Sequence, residues 1–144
     1  MNYKELIEKE GNYKEWIYTA QNDTFYKCHI KRNPHHLFLC GYVDITTDNK
    51  LFGLDYSEIN FTVHGGLTYF HQEDDICVYG FDCGHFSDMM FNTDFLKTRN
   101  GVYRNMDFVI NECQFLAEQF SGFSISVERN LKIEEVLLSN KSRY

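Results

Sequence analysis

This chain has one proline, no long apolar run, no C-x-x-C pair and no surplus of positive charge. Each shortage closes off a class. A membrane-spanning helix needs roughly 20 consecutive apolar residues, and no stretch approaches that, so no membrane partner is expected. The start, Met1-Asn2-Tyr3-Lys4-Glu5, lacks the apolar core of a signal peptide, and a cytoplasmic location is expected. Five cysteines (Cys28, Cys40, Cys77, Cys83, Cys113) form an odd, unpatterned set, which argues against a disulfide framework or a zinc ribbon. A formal net charge of −7 leaves no general basic face, so direct nucleic-acid binding is not expected. Scarce proline and the absence of low-complexity runs or solenoid repeats argue for an ordered chain.

What is present is aromatic. With 144 residues the chain reads as one domain, 1–144, able to bury a core without staples. Its 13 Phe and 10 Tyr serve a packed interior, a stacking surface for a planar ligand, or both, and make homo-oligomerisation a reasonable expectation. Cys28, Cys77, Cys83 and Cys113 read as small buried hydrophobes, with Cys83 ambiguous between Asp82 and His85. The local basic patch of Lys27, His29, Lys31, Arg32, His35 and His36 reads first as solvated edge-strand charge. A phosphate-bearing ligand is its alternative use.

Along the chain, residues 2–10 are helix-competent and Gly11-Asn12 stops them. Trp16 to Thr19 and Thr24 to Ile30 read as strands around a Gln21-Asn22-Asp23 turn. Pro34 forces a loop, Phe38 to Ile45 is a third strand, and Thr46 to Tyr56 is a polar excursion. Glu58 to Phe70 and Ile76 to Cys83 read as a central hairpin closed by an acidic loop, 71–75. A loose stretch, 86–104, precedes a helix capped by Asn105 and stopped by Ser121-Gly122. Its stripe is Met106, Val109, Ile110, Cys113, Leu116, Ala117 and Phe120. Phe123 to Val127 reads as a last strand and Leu131 to Leu138 as a short helix. The fold class is α+β: an antiparallel sheet with one main amphipathic helix packed on one face.

Two glycine-flanked polar clusters, His64-Gly65-Gly66 and Asp82-Cys83-Gly84-His85, interrupt the strand-like hairpin, where glycine pairs and histidine pack poorly. A 71–75 loop pairs Thr68 with Val78, Gly66 with Gly80, and His64 with Asp82. One face then carries Phe61, Val63, Leu67, Tyr69, Cys77, Tyr79, Phe81 and Cys83. The other is a polar strip of Thr62, His64, Gly66, Thr68, Gly80 and Asp82. A facing carboxylate would fix the imidazole tautomer and raise its pKa, as a general base or a metal ligand requires. His64, Asp82 and His85 are the candidate catalytic residues. Gly65, Gly66, Thr68, Gly84 and Asp88 are the candidate ligand-binding residues.

Three uses of this cluster stand open. It is a structural tie pinning the hairpin; a metal site of His64, Asp82, His85 and Asp88, matching no established ligand spacing; or a nucleotide-sized pocket. In the pocket, aromatics among Tyr26, Tyr42, Tyr56 and Tyr69 stack on a base, and glycine amides, histidine, Arg32, Arg99 or Arg104 meet phosphate. Cys83 as nucleophile is a weaker variant, since the pairing turns its thiol inward. The cofactor and any metal are left unknown.

Four segments also resemble a family of small phage and prophage proteins: Cys40-Gly41-Tyr42-Val43; Val63 to Tyr69; Gly80-Phe81-Asp82-Cys83-Gly84-His85-Phe86-Ser87-Asp88; and Glu112-Cys113 with Leu116-Ala117-Glu118-Gln119. The family pattern reads C-G-Y-V, V-H-G-G-L-T-Y, F-G-F-D-C-x-H-x-x-D and E-C-x-x-L-A-x-Q. The likeness runs from 16 to 120, leaving 1–15 and 121–144 as terminal additions. It departs at Asn49-Lys50-Leu51-Phe52-Gly53, where the family carries H-P-L-[YH]-G, and at Val78-Tyr79, where it carries W-W. The resemblance implies a bacteriophage or mobile-element setting, in which accessory proteins counter host defences, and it attaches no activity. The leading expectation is a counter-defence protein that binds, and in one version degrades, a nucleotide-like phosphorylated molecule. Its rivals are an anti-CRISPR-type inhibitor that binds a host defence nuclease through an acidic surface, and a metal-dependent hydrolase.

Overall fold

In a computed structural model, which describes residues 2–125, five strands form one antiparallel sheet. Helix α1 (Tyr3–Glu10) starts where the Asn2 side chain accepts the Glu5 amide and ends at Gly11, whose φ is 83°. The sheet follows as β1 (Tyr13–Thr19), β2 (Phe25–Arg32), β3 (Leu39–Thr46), β4 (Tyr69–Glu73) and β5 (Ile76–Asp82), in the order β1-β2-β3-β5-β4. Short strands β6 (Met90–Phe91) and β7 (Lys97–Arg99) pair in a second sheet inside the stretch expected to be loose. Two- and three-residue strands are too short to show a period of two. Helix α2 (Met106–Ser121) is capped by Asn105, which accepts the Phe108 amide, and lies across β3 and β2. The fold is the expected α+β class.

The core is the face of the sheet under α2. Cys28, Ile30, Leu39, Val43, Ile45, Cys77, Tyr79 and Phe81 meet Val109, Cys113, Leu116, Ala117 and Phe120, all buried. Close approach depends on Gly41: a Cβ there would stand 2.5 Å from the Phe81 ring and 2.7 Å from Cys113 Sγ. A smaller core of Ile7, Leu37, Met89 and Phe91 seats α1. Beside it, the buried Arg32 guanidinium donates to the carbonyls of Leu37 and Gly11. The Glu10 carboxylate accepts Tyr103 Oη and the Met106 amide at the start of α2.

The central hairpin differs from its expected register. Phe70 faces Tyr79 and Glu73 faces Ile76, where Phe70 had been expected opposite Ile76. Asp74 takes a φ of 52°, a left-handed conformation aspartate tolerates. The turn therefore closes over Asp74-Asp75 and the strand runs on through residues 71–73. The odd slip turns Tyr69 to the face opposite the core, where it meets Tyr42 edge-on. Residues 59–67 form no strand; in the middle of this segment, side chains of α2 take backbone groups of Thr62 and His64. The Gln119 side chain accepts the Thr62 amide and donates to the Thr62 carbonyl, both at 2.8 Å, and Glu112 accepts the His64 amide at 3.0 Å. No strand forms over 123–125; Ser124 bridges Asn49 alone. Residues 126–127 of that expected strand, and the helix expected at Leu131 to Leu138, lie outside the described residues.

Candidate functional site

The two motif segments meet at one end of the molecule as a pair of turns. The Gly66 amide donates to the Val63 carbonyl, closing a four-residue turn with Gly65 at φ 69° in its third position. Positive φ there calls for glycine. A Cβ on Gly65 would also fall 2.0 Å from His85 Nε2, so the His85 ring lies directly on this backbone. The second turn, 82–88, is tied at each step. Asp82 Oδ1 accepts the Gly84 amide, Asp88 Oδ2 accepts the His85 amide, and His85 O accepts the Asp88 amide. Arg99 donates to the carbonyls of His85 and Asp88 from β7.

His64 does not face Asp82. Its Nε2 lies 2.8 and 3.0 Å from the two oxygens of Asp88, and Arg104 Nε donates to Asp88 Oδ1 at 3.0 Å. Residue 64 lies outside the ladder, which begins at Tyr69. Asp88 is fully buried. Burial pushes its carboxyl up, but hydrogen bonds from His64, Arg104 and the His85 amide outweigh that and hold it below the ordinary 3.8. Asp82 accepts Thr68 Oγ1 at 3.0 Å, and its Oδ1 lies 3.5 Å from His85 Nε2. That imidazole nitrogen has no hydrogen-bond partner among the described residues.

His64, His85 and Asp88 are thus brought together, with the two imidazoles edge-on at 5.8 Å. Thr68 and Asp82 stand on the neighbouring flank, where they border a shallow depression of about 310 Å³ with Tyr42, Tyr69, Phe38 and Cys40. The glycines divide. Gly66 faces open space, Gly84 packs on the Phe38 ring, and the room expected above Gly80 is filled by Tyr42, 2.6 Å from where a Cβ would stand. Cys83 is sealed in the core, where burial and the nearby Asp88 charge push its thiol well up, so it is no nucleophile. Among the described residues, no three His, Cys, Asp or Glu side chains converge as a metal cage. The metal set expected from His64, Asp82, His85 and Asp88 therefore does not form.

Arg104, one of the three arginines the sequence offered for phosphate, completes the site with Phe86 and with Phe108, which the sequence did not point to. The Arg104 guanidinium lies 4.9 Å above the Phe108 ring, which also meets His64 edge-on at 5.3 Å. Phe86, 92% exposed, projects from the tip of the second turn. Glu112 and Gln119 carried a signal: they lie seven residues apart on α2, both beside the apolar stripe, facing whatever segment borders it. Among the described residues, no helix is long and apolar enough to cross a membrane. No protein-family model, curated protein or solved structure matches the chain.

Proposed function

We propose that this is a binding protein for a phosphorylated, nucleotide-sized molecule, held at the turn pair by His85, Arg104, Gly66 and Phe86. The carrying observation is local charge. On a chain of net charge −7, Arg104 and His64 meet the fully buried carboxylate of Asp88, Arg99 donates to the Asp88 carbonyl, and His85 lies beside them, 3.5 Å from Asp82. Arg104 spends only Nε on Asp88, so its two terminal nitrogens make no hydrogen bond among the described residues. They match the forked donor geometry that phosphate favours. His85 borders the site with a partly exposed ring, and Phe86 offers a ring for a base to stack on. Binding alone is proposed: the one nucleophile the sequence offered, Cys83, is buried in the core. The phage-family resemblance supports a counter-defence setting for such a binder.

Calorimetric titration with nucleoside mono- and triphosphates, cyclic dinucleotides and inorganic phosphate tests this. Saturable heat is expected with a nucleotide and weaker heat with phosphate alone. His85→Ala should weaken nucleotide binding about tenfold or more, since hydrogen bonds to charged groups are worth about 1.5–3 kcal/mol. No heat with any of these probes would overturn the reading.

A further inference from the structure

Opposite the core, the sheet presents a second broad face that no element covers among the described residues. At one end of it, pairing sets Thr46 beside Ile76 and Glu73, and Asp44 beside Val78 and His71. The β4–β5 turn continues this end with Asp74 and Asp75, both exposed. Strands β3, β4 and β5 hold no lysine or arginine at any position, although the chain has 14. Basic side chains of the sheet lie on β1 and β2, where Glu15 already holds Lys27 at 2.9 Å. The β3–β5–β4 side is therefore acidic without relief. Its acidic end is the end of β5 away from the turn pair, which follows Asp82.

Two depressions meet at that end. One, of about 430 Å³, is walled by Glu73, Asp74 and Asp75; the other, of about 170 Å³, is bordered by Phe25 and Thr46. They share Asp44 and Ile76. The Asp44 side chain is only 13% exposed, and its Oδ1 has no hydrogen-bond partner among the described residues. His29 Nδ1, 3.8 Å away, is too far to donate, and burial holds that imidazole below its ordinary pKa. An unmet carboxylate oxygen out of water is costly, and a donor supplied from outside would remove the cost. Beside it, Phe25 is 71% exposed and Ile76 44%, and large apolar side chains gathered on one face mark an interaction surface.

Charge and size select the partner. Four carboxylates repel nucleic acid and a second copy of the same acidic surface alike. Among the described residues they form no metal cage. Three strands about 4.8 Å apart, with about 3.3 Å per residue along seven-residue β5, span roughly 14 by 23 Å. That is well short of the ~800 Å² per partner of a domain-sized interface, yet wide enough for one helix, about 10–12 Å across. We propose that this end of the open face binds a basic amphipathic helix of a partner protein. Its lysine or arginine side chains lie on Asp44, Glu73, Asp74 and Asp75, and its apolar side chains cover Phe25 and Ile76. A cation at Asp44 gives Oδ1 the donor it lacks, in a charge-assisted hydrogen bond. The three exposed carboxylates act more on the rate of encounter than on its strength. No group of the turn pair takes part, so this surface is independent of the nucleotide reading.

Fluorescence anisotropy of a labelled lysine–leucine amphipathic helix, titrated with the full chain, tests this. Saturable one-to-one binding is expected, weakening as salt rises, because exposed charges are screened beyond about 8–10 Å. Asp74→Lys combined with Asp75→Lys should raise the Kd about tenfold or more, with unchanged circular dichroism. Ile76→Ser should raise it about threefold or more through lost apolar contact. Glu5→Lys combined with Glu8→Lys changes the net charge by the same amount at exposed positions of α1, and should leave the Kd unchanged. No binding, equal weakening by the α1 pair, or oligolysine binding as tightly as the amphipathic helix would overturn the proposal. A carbodiimide cross-link from Lys132 or Lys141 to Asp74 or Asp75 within a single chain would also overturn it, assigning the surface to residues 126–144. So would a dimer that the helix peptide dissociates, which assigns the surface to a second copy.

Discussion

The turn pair and the open sheet face are made of the same materials, histidine, aspartate and aromatic rings, yet they are bound to opposite degrees. At the turns, Asp88 is fully buried and receives His64, Arg104 and the His85 amide. On the sheet face, Asp44 and His29 stand 3.8 Å apart with Oδ1 and Nδ1 unpartnered among the described residues. Burial lowers the His29 pKa, and Lys31 and Lys27 lower it further. A dense motif therefore marks the place where the backbone is most heavily tied. The freer chemistry lies on a face whose sequence is unremarkable.

The sharpest way to break this comparison is to remove the centre of the tied region. Asp88→Ala leaves Arg104 and His64 without their buried partner, and a loss of about 3–5 kcal/mol is expected in denaturant unfolding. Acid should act in the same direction. The folded carboxyl titrates below the unfolded value, so its stabilisation is complete above about pH 4. It is lost as pH falls through the lowered folded value. Asp88→Asn should flatten that acid limb in a pH series of melting curves.

Neighbouring glycines give a finer test. Gly65→Ala meets both a positive φ and the His85 ring at 2.0 Å, and about 2–3 kcal/mol of destabilisation is expected. Gly66→Ala meets only a φ of 79° with nothing within 4 Å, so about 1 kcal/mol is expected. Equal losses in thermal melts would show that His85 does not rest on Gly65. Below these comes Gln119→Ala, which frees both backbone groups of Thr62 at a solvent-exposed site, expected at about 1 kcal/mol. The smallest effect belongs to the open face: Ile17→Thr should change stability by no more than about 0.5 kcal/mol. Hydrogen exchange on β1 and β2 would register a larger dependence.

Much of this architecture was legible. The period of α2, its Asn105 cap, the first three strands and the inward run Cys77-Tyr79-Phe81 follow from spacing alone. The hairpin register was not, because it hung on whether Asp74 would accept a left-handed φ, and composition does not decide that. His64 was placed in a strand because Val63 and Leu67 flank it with the right alternation. The competing influence, Glu112 and Gln119 taking the backbone bonds of 62–64, lies some 50 residues away along the chain. His85 and Asp88 were found as site members, but Arg104 was one of several available cations. Its role depends on β7 and the following turn, which are too short to announce themselves.

Glu10 ties the first helix to the last one described, reaching 96 positions along the chain to the Met106 amide. As the ribosome releases the chain, α1 therefore waits for its α2 partner until every strand of both sheets has been made. Closure of that long loop is a late event, and it slows assembly of the smaller core.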